Sequence, residues 1–202
     1  MLFKTKRRAI IILLIIFLAT LYFSNNVFVA APFFIAIIAL VLLRYVDRSF
    51  KFNFPEKYYI LVFIALFLGT IVGGWEPPFG FFYRFVFYDK LLHFLIPFLL
   101  SAIMFFMLDS LKIKLKWKLL MTFGIVFGML GVHEIGEYLS DRILGTIWQG
   151  VYIKDFSLTS LITHTQVQDP LDDTMQDMIY GLLGIVAFTI YKTIQRKIKK
   201  KR

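Results

Sequence analysis

The 202-residue sequence predicts an all-α fold, a polytopic membrane helix bundle of about six transmembrane helices with both termini cytoplasmic. Composition is the first reason: 59% of residues are hydrophobic, 24 are Phe and 18% are charged, too little polar surface to cover a soluble globule. Segmentation is the second. The apolar runs approach the roughly 20 residues that span a bilayer, and they lack a barrel's alternation, so helices must satisfy the backbone groups in lipid. The third is the distribution of basic residues, taken up below.

The opening stretch, MLFKTKRRAIIILLIIFLATLYFSNN, has the charged and apolar regions of a signal peptide without a clear small-x-small cleavage site, and it reads as a retained first span over 9–23. Ser24, Asn25 and Asn26 turn the chain into a second span over 27–43. The remaining spans are expected over 58–75, 91–108, 117–138 and 173–191, followed by a basic tail over 192–202. Together they form a single integral membrane domain over 1–202, without internal repeat or low-complexity segment. Gly69 with Gly73, and Gly124 with Gly128, have the spacing that lets helices approach closely.

Placing both termini inside puts 19 of the 23 basic residues on the cytoplasmic side, including Lys4 to Arg8, Arg44 to Lys57, Lys112 to Lys118 and the tail from Lys192. Only Arg84, Lys90, Arg142 and Lys154 fall outside, the bias expected of a correctly oriented bundle. The tail QRKIKKKR and the loop KIKLKWK are thereby explained by topology and by attraction to anionic lipids at the cytoplasmic face, so no nucleic-acid partner is expected. The chain has no cysteine, which excludes disulfides and thiolate metal sites and leaves the redox compartment unread.

The acids partition the opposite way. Glu134, Glu137, Asp141, Asp173 and Asp177 lie on the outer side or in the outer half of a span, with His93, His133 and His164 on that same side. Three helix ends carry the pattern. In YDKLLHF, Asp89 and His93 stand one turn apart on one face; in HEIGEYLSD, His133, Glu137 and Asp141 form an i, i+4 stripe beside Glu134; in DPLDDTMQDM, Asp177 lies one turn beyond Asp173. Pro170 and Asp172/Asp173 give turn and N-cap chemistry to the last of these.

An ionisable side chain at mid-bilayer costs about 2.5–3.5 kcal/mol even on lenient scales, so these groups should face a polar interior with partners. Lys90 and Arg142 are the obvious nearby cations, which leaves the carboxylates in excess; they are either partly protonated or share a bound cation. The expected ligands are His93, Glu134, Glu137, Asp177, Asp173, Asp89 and His133, with Glu134 and Glu137 as candidate catalytic bases. Mixed His/carboxylate ligation suits zinc, manganese or iron better than calcium, without fixing the divalent metal ion. Plainer roles stand beside these: Asp89 suits an N-cap, Asp141 a solvated interface residue, His93 an interhelical hydrogen bond and His164 a surface position. In HEIGE, Glu137 replaces the second histidine of a His-Glu-x-x-His zinc helix, which argues against a zincin.

YDKLLHF, HEIGEY and DDTMQDM followed by YGLLG resemble the pattern of the YjdF-type inner-membrane family of unknown function, itself similar to VanZ-like membrane proteins. The resemblance covers roughly 88–190 and implies that Asp89, His93, Glu134, Glu137, Asp173 and Asp177 occupy recurring polar positions. The sequence departs at Met175-Gln176, where the family tends to show Gln-Trp, and at Asp172, where Trp is usual. The resemblance implies a site and no settled activity.

Two functional classes fit. One is a metal-dependent hydrolase or transferase acting on a lipid-linked or amphiphilic phosphate or ester; the other is a transporter or proton-coupled permease, with a structural or envelope-stress membrane protein as a further alternative. Against transport, no charged residue falls in the inner half of a span apart from Lys118 at the very edge of the fifth. The long connection from Asp141 to Thr174 could lie on the membrane as a lid, with Trp148, Tyr152 and Phe156 as headgroup anchors or as an ordinary aromatic belt.

Overall fold

A computed structural model describes residues 11, 15, 18, 27–73, 80–146, 148–154 and 164–201. Five α-helices account for most of the described residues: α1 (Val27–Ser49), α2 (Glu56–Leu66), α3 (Tyr88–Asp109), α4 (Leu115–Leu144) and α5 (Pro170–Lys201). One antiparallel pair, β1 (Val151–Lys154) and β2 (His164–Gln168), lies between α4 and α5. The expected span over 9–23 and the turn at Ser24 to Asn26 lie outside the described residues apart from Ile11, Ile15 and Leu18, which are helical and exposed. Trp75, Phe156 and Ser157 also lie outside them.

The chain divides into two units, Met1–Phe81 and Phe82–Arg202. In the first, α1 and α2 form a hairpin around Leu40, with Ile37, Val62, Phe63 and Leu66 packed against it. The carboxylate of Asp47 fixes the turn, accepting from the Phe54 amide at 2.8 Å and the Tyr59 hydroxyl at 2.6 Å. That turn places Lys51 and Asn53 at φ of 52° and 54°, a left-handed conformation disfavoured for residues with a Cβ. The expected span over 58–75 is α2 followed by π-helical turns over Phe67–Val72, where Gly69 and the β-branched Thr70, Ile71 and Val72 weaken the α-helical form.

The second unit holds the three helices long and apolar enough, among the described residues, to cross a membrane: Tyr88–Asp109, Leu115–Leu144 and Pro170–Lys199. Each extends the expected span at both ends, because charged flanks such as Arg142 and Lys192 to Lys199 continue the helix past the apolar run. α3 packs most extensively on α5, and α4 touches both. Phe105, Ile185, Phe188 and Val126 are buried at their centre, with Phe98 and Phe188 edge-to-face at 5.9 Å.

Close approach comes from Gly181 and Gly184 rather than from Gly69, Gly124 or Gly128. A Cβ at Gly184 would run into the backbone carbonyl of Phe94, and one at Gly181 into the Leu130 side chain. At Gly69, Gly124 and Gly128 a Cβ would meet nothing within 4 Å. The helices are also pinned by charge at the end remote from Asp89 and Asp173. There Asp109 of α3 receives Lys118 of α4 on its carbonyl at 2.5 Å and its carboxylate at 3.2 Å, and Arg196 of α5 on its second carboxylate oxygen.

Candidate functional site

Three helix segments meet at the other end of the second unit. The first two turns of α3 supply Asp89, Lys90 and His93, the second half of α4 supplies His133, Glu134 and Glu137, and the first two turns of α5 supply Asp173 and Asp177. The start of α5 is fixed by Asp169, whose carboxylate accepts from the amides of Leu171 at 2.9 Å and Asp172 at 3.0 Å; Pro170 then suits the first helical position. Asp169 is therefore the cap expected of Asp172/Asp173, which frees Asp173 to turn inward. Asp89 is no cap either: it sits inside the first turn of α3, and its carboxylate points along the helix to Lys90 and His93.

Lys90 is the hub. Its ammonium, 3% exposed, donates to Asp173, to Asp177 at 2.8 Å and to Asp89 at 3.0 Å. A buried ammonium with three carboxylate acceptors has all its donors used, the condition under which a buried ion group is tolerated. Asp173 uses its second carboxylate oxygen to accept from the Gly150 amide at 2.8 Å.

His93 lies between this cluster and α4. Its Nε2 is 3.6 Å from Asp89, and its Nδ1 is 3.6 Å from Glu134 Oε1 and 3.9 Å from Asp177 Oδ1. Glu134 is 5% exposed, yet among the described residues neither of its carboxylate oxygens, nor His93 Nδ1, makes a hydrogen bond. The Thr174 hydroxyl, which neighbours Glu134, accepts from the Gln149 side chain at 3.0 Å. His133, one turn before Glu137, stands 3.3 Å from it, and its ring centroid is 5.6 Å from that of His93.

Among the described residues, two groups hold possible ligand atoms within 4.8 Å of one another: His93 with His133 and Glu134, and His93 with Asp89 and Asp177. Of the expected residues, then, His93, Glu134, Asp177, Asp89 and His133 are brought to one place. Asp173 joins them through Lys90, and Glu137 through His133. Asp141 stands apart and organises the loop after α4, accepting from the Thr146 hydroxyl at 2.5 Å and the amides of Trp148 and Gln149 at 2.8 and 2.9 Å. His164 pairs with Lys154 across the strand ladder. Lys90 was visible in sequence as a nearby cation but not as the centre of the cluster, and Gly150 carried no sign beyond being glycine.

Between the two charged ends, the buried polar side chains in the described residues of these helices are Ser101 and Thr122, and each donates to its own helix, at Pro97 and Lys118. No buried polar chain joins the ends among the described residues.

The pattern of the DUF2238 family, described as predicted membrane protein, matches residues 6–198, and the chain belongs to that family. It is a multi-pass membrane protein. The chain is also similar to an uncharacterized protein of Thermotoga maritima, 27% identical over 143 residues, a match covering 71% of this chain and 64% of that protein. The chain thus spans just under two thirds of that relative's length. No solved structure matches it.

Proposed function

We propose that this DUF2238 protein binds a divalent cation at the end of α3, α4 and α5 read as outward-facing, and acts there as a metal-dependent hydrolase or transferase on a lipid-linked or amphiphilic phosphate or ester. The observation that carries the reading is the buried pair of Glu134 and His93 Nδ1, 3.6 Å apart, neither making a hydrogen bond among the described residues. A buried carboxylate without partners costs several kcal/mol of desolvation, and a cation between the two groups would remove that cost. A tetrahedral cation with bonds of about 2.1 Å holds its ligand atoms about 3.4 Å apart, close to the spacing found. His133 fits as a third ligand.

In this reading Asp89 orients His93 from its Nε2 side, the carboxylate–histidine arrangement that fixes a ligating ring. Asp173 and Asp177 contribute negative charge held in place by Lys90, and Asp177 Oδ1 remains near enough to close a fourth position. A bound divalent cation supplies Lewis-acid polarisation of a phosphoryl or carbonyl oxygen. Glu137, half-buried beside His133, is the base that takes a proton from the attacking water. The likeness to YjdF-type and VanZ-like proteins belongs to this proposal, because it rests on the same residues. Transport is the weaker reading, since Ser101 and Thr122 are bonded back to their own helices.

The test is elemental analysis of purified protein beside Glu134→Gln. Near-stoichiometric zinc, manganese or iron in the wild type and its loss in the variant are expected; metal-free wild type after growth and purification with each metal in excess would overturn the reading.

A further inference from the structure

Exposure across the site is uneven in one direction. Lys90, Glu134 and Asp177 are 5% exposed or less and the Glu137 side chain 17%, whereas the His133 side chain is 56% exposed. Along the helix axis the site is fastened over: Asp141 holds Thr146, Trp148 and Gln149, the Gln149 side chain donates to Thr174, and the Gly150 amide donates to Asp173. Gly150 makes that last contact at a φ of 91°, and a Cβ there would meet the Gln168 carbonyl at 3.1 Å, so the backbone passes close against the end of β2, just before α5.

Sideways the situation differs. His133 shares its stretch of α4 with Met129, Val132 and Ile135, all exposed and apolar, on a helix long enough to cross a membrane. It sits about three turns from the end of that helix, so it is not at the helix tip where a side chain snorkels easily. A polar imidazole on such a surface is costly in hydrocarbon unless a polar partner meets it. It meets the Glu137 carboxylate on one side and the His93 ring on the other, which leads inward to Glu134.

We infer that the site opens laterally into the bilayer between α3 and α4, and that His133 with Glu137 forms the threshold that receives the phosphate or ester head group of a membrane amphiphile. This deepens the metal-site reading by naming the side from which its substrate comes; the opening itself requires no metal. The amphiphile keeps its chains against Met129, one turn from His133 on the same face of α4, while its head group passes from His133 toward His93 and Glu134.

Because the chain has no cysteine, a single nitroxide can be placed at will. In phosphatidylethanolamine/phosphatidylglycerol vesicles, a label at His133→Cys is expected to collide with oxygen several-fold more than with a water-soluble nickel chelate, as at Val132→Cys and unlike Trp148→Cys. Gly136→Cys, where an added side chain meets no neighbour within 4 Å, gives the same reading if His133→Cys does not fold. A benzophenone attached at either cysteine is expected to yield a phospholipid adduct by mass. Chelate collisions matching those at Trp148→Cys, or cross-links to another stretch of the chain or to a second copy, would overturn the proposal. Both readings are taken with and without chelator, so a lateral opening in metal-free protein would leave this inference standing while the metal reading fell.

Discussion

Lys90, in the first turn of α3, and Asp173, in the first turn of α5, form a buried ion pair that ties the two helices at the candidate site. Lys90→Met keeps much of the length and removes the charge, leaving three carboxylates together. Loss of one partner of a buried pair costs on the order of 3 kcal/mol. Thermal unfolding in detergent should show that loss, and Lys90→Met combined with Asp173→Asn should be less destabilised than Lys90→Met alone. If the double variant is the worse of the two, the pair is not the stabilising unit.

Metal removal should separate Glu134 from Glu137. A ligand that binds only the folded state adds RT ln(1 + [L]/Kd), about 2.7 kcal/mol at a hundredfold excess over Kd. Chelator should therefore lower the melting temperature of the wild type and of Glu137→Gln, which keeps the proposed ligands, and leave Glu134→Gln unmoved. Equal responses of all three proteins would dissolve the distinction between ligand and base.

The glycines make a graded series. Gly184→Ala forces a methyl onto the Phe94 carbonyl, which cannot move without bending α3, and should cost about 2–3 kcal/mol. Gly181→Ala meets the flexible Leu130 side chain and should cost less, while Gly128→Ala meets nothing and should be neutral or gain up to about 1 kcal/mol in helix propensity. Unfolding in denaturing detergent ranks them; a neutral Gly184→Ala would contradict the close α3–α5 packing.

Asp141→Ala removes the acceptor of three hydrogen bonds in the loop after α4. Hydrogen exchange should speed up at Trp148 and Gln149 by about tenfold or more, since each such bond to a carboxylate is worth roughly 1.5 kcal/mol or more, with little change at the centre of α4. Unchanged exchange at those two amides would mean the loop is held by other contacts.

Reporter tags on the two termini should both read cytoplasm, and one inserted at Ser157 the opposite side, as the 19-of-23 basic bias requires. Termini on opposite sides would break the topology behind the outward-facing assignment.

What was legible in sequence was the set of acids and histidines that recur one turn apart. That spacing alone puts Asp89 with His93, His133 with Glu137, and Asp173 with Asp177 on shared faces, and three apolar helices can then bring the faces together. Which side chain would sit at the centre was not legible, because Lys90 could equally have snorkelled to the interface; only the inward turn of Asp173 and Asp177 decides it. The cap expected at Asp172/Asp173 falls on Asp169 for a similar reason: any of the three aspartates flanking Pro170 can cap a helix, and the residue that does so depends on where the chain enters from β2. Gly181 and Gly184 were present in YGLLG, but spacing does not reveal which glycine face meets another helix.

The fastening of α3, α4 and α5 at both ends restricts how they can move. Lys90 with Asp173 and Asp177 at one end, and Asp109 with Lys118 and Arg196 at the other, oppose any one-turn slide of one helix past its neighbour, since a slide would break both sets together. Bending is still open to α3, because Pro97 has no N–H for the carbonyl of His93 four residues earlier. Any working stroke in this unit should therefore be a flexure of α3 at Pro97, one that tilts the His93 end against α4 while the Asp109 end stays put.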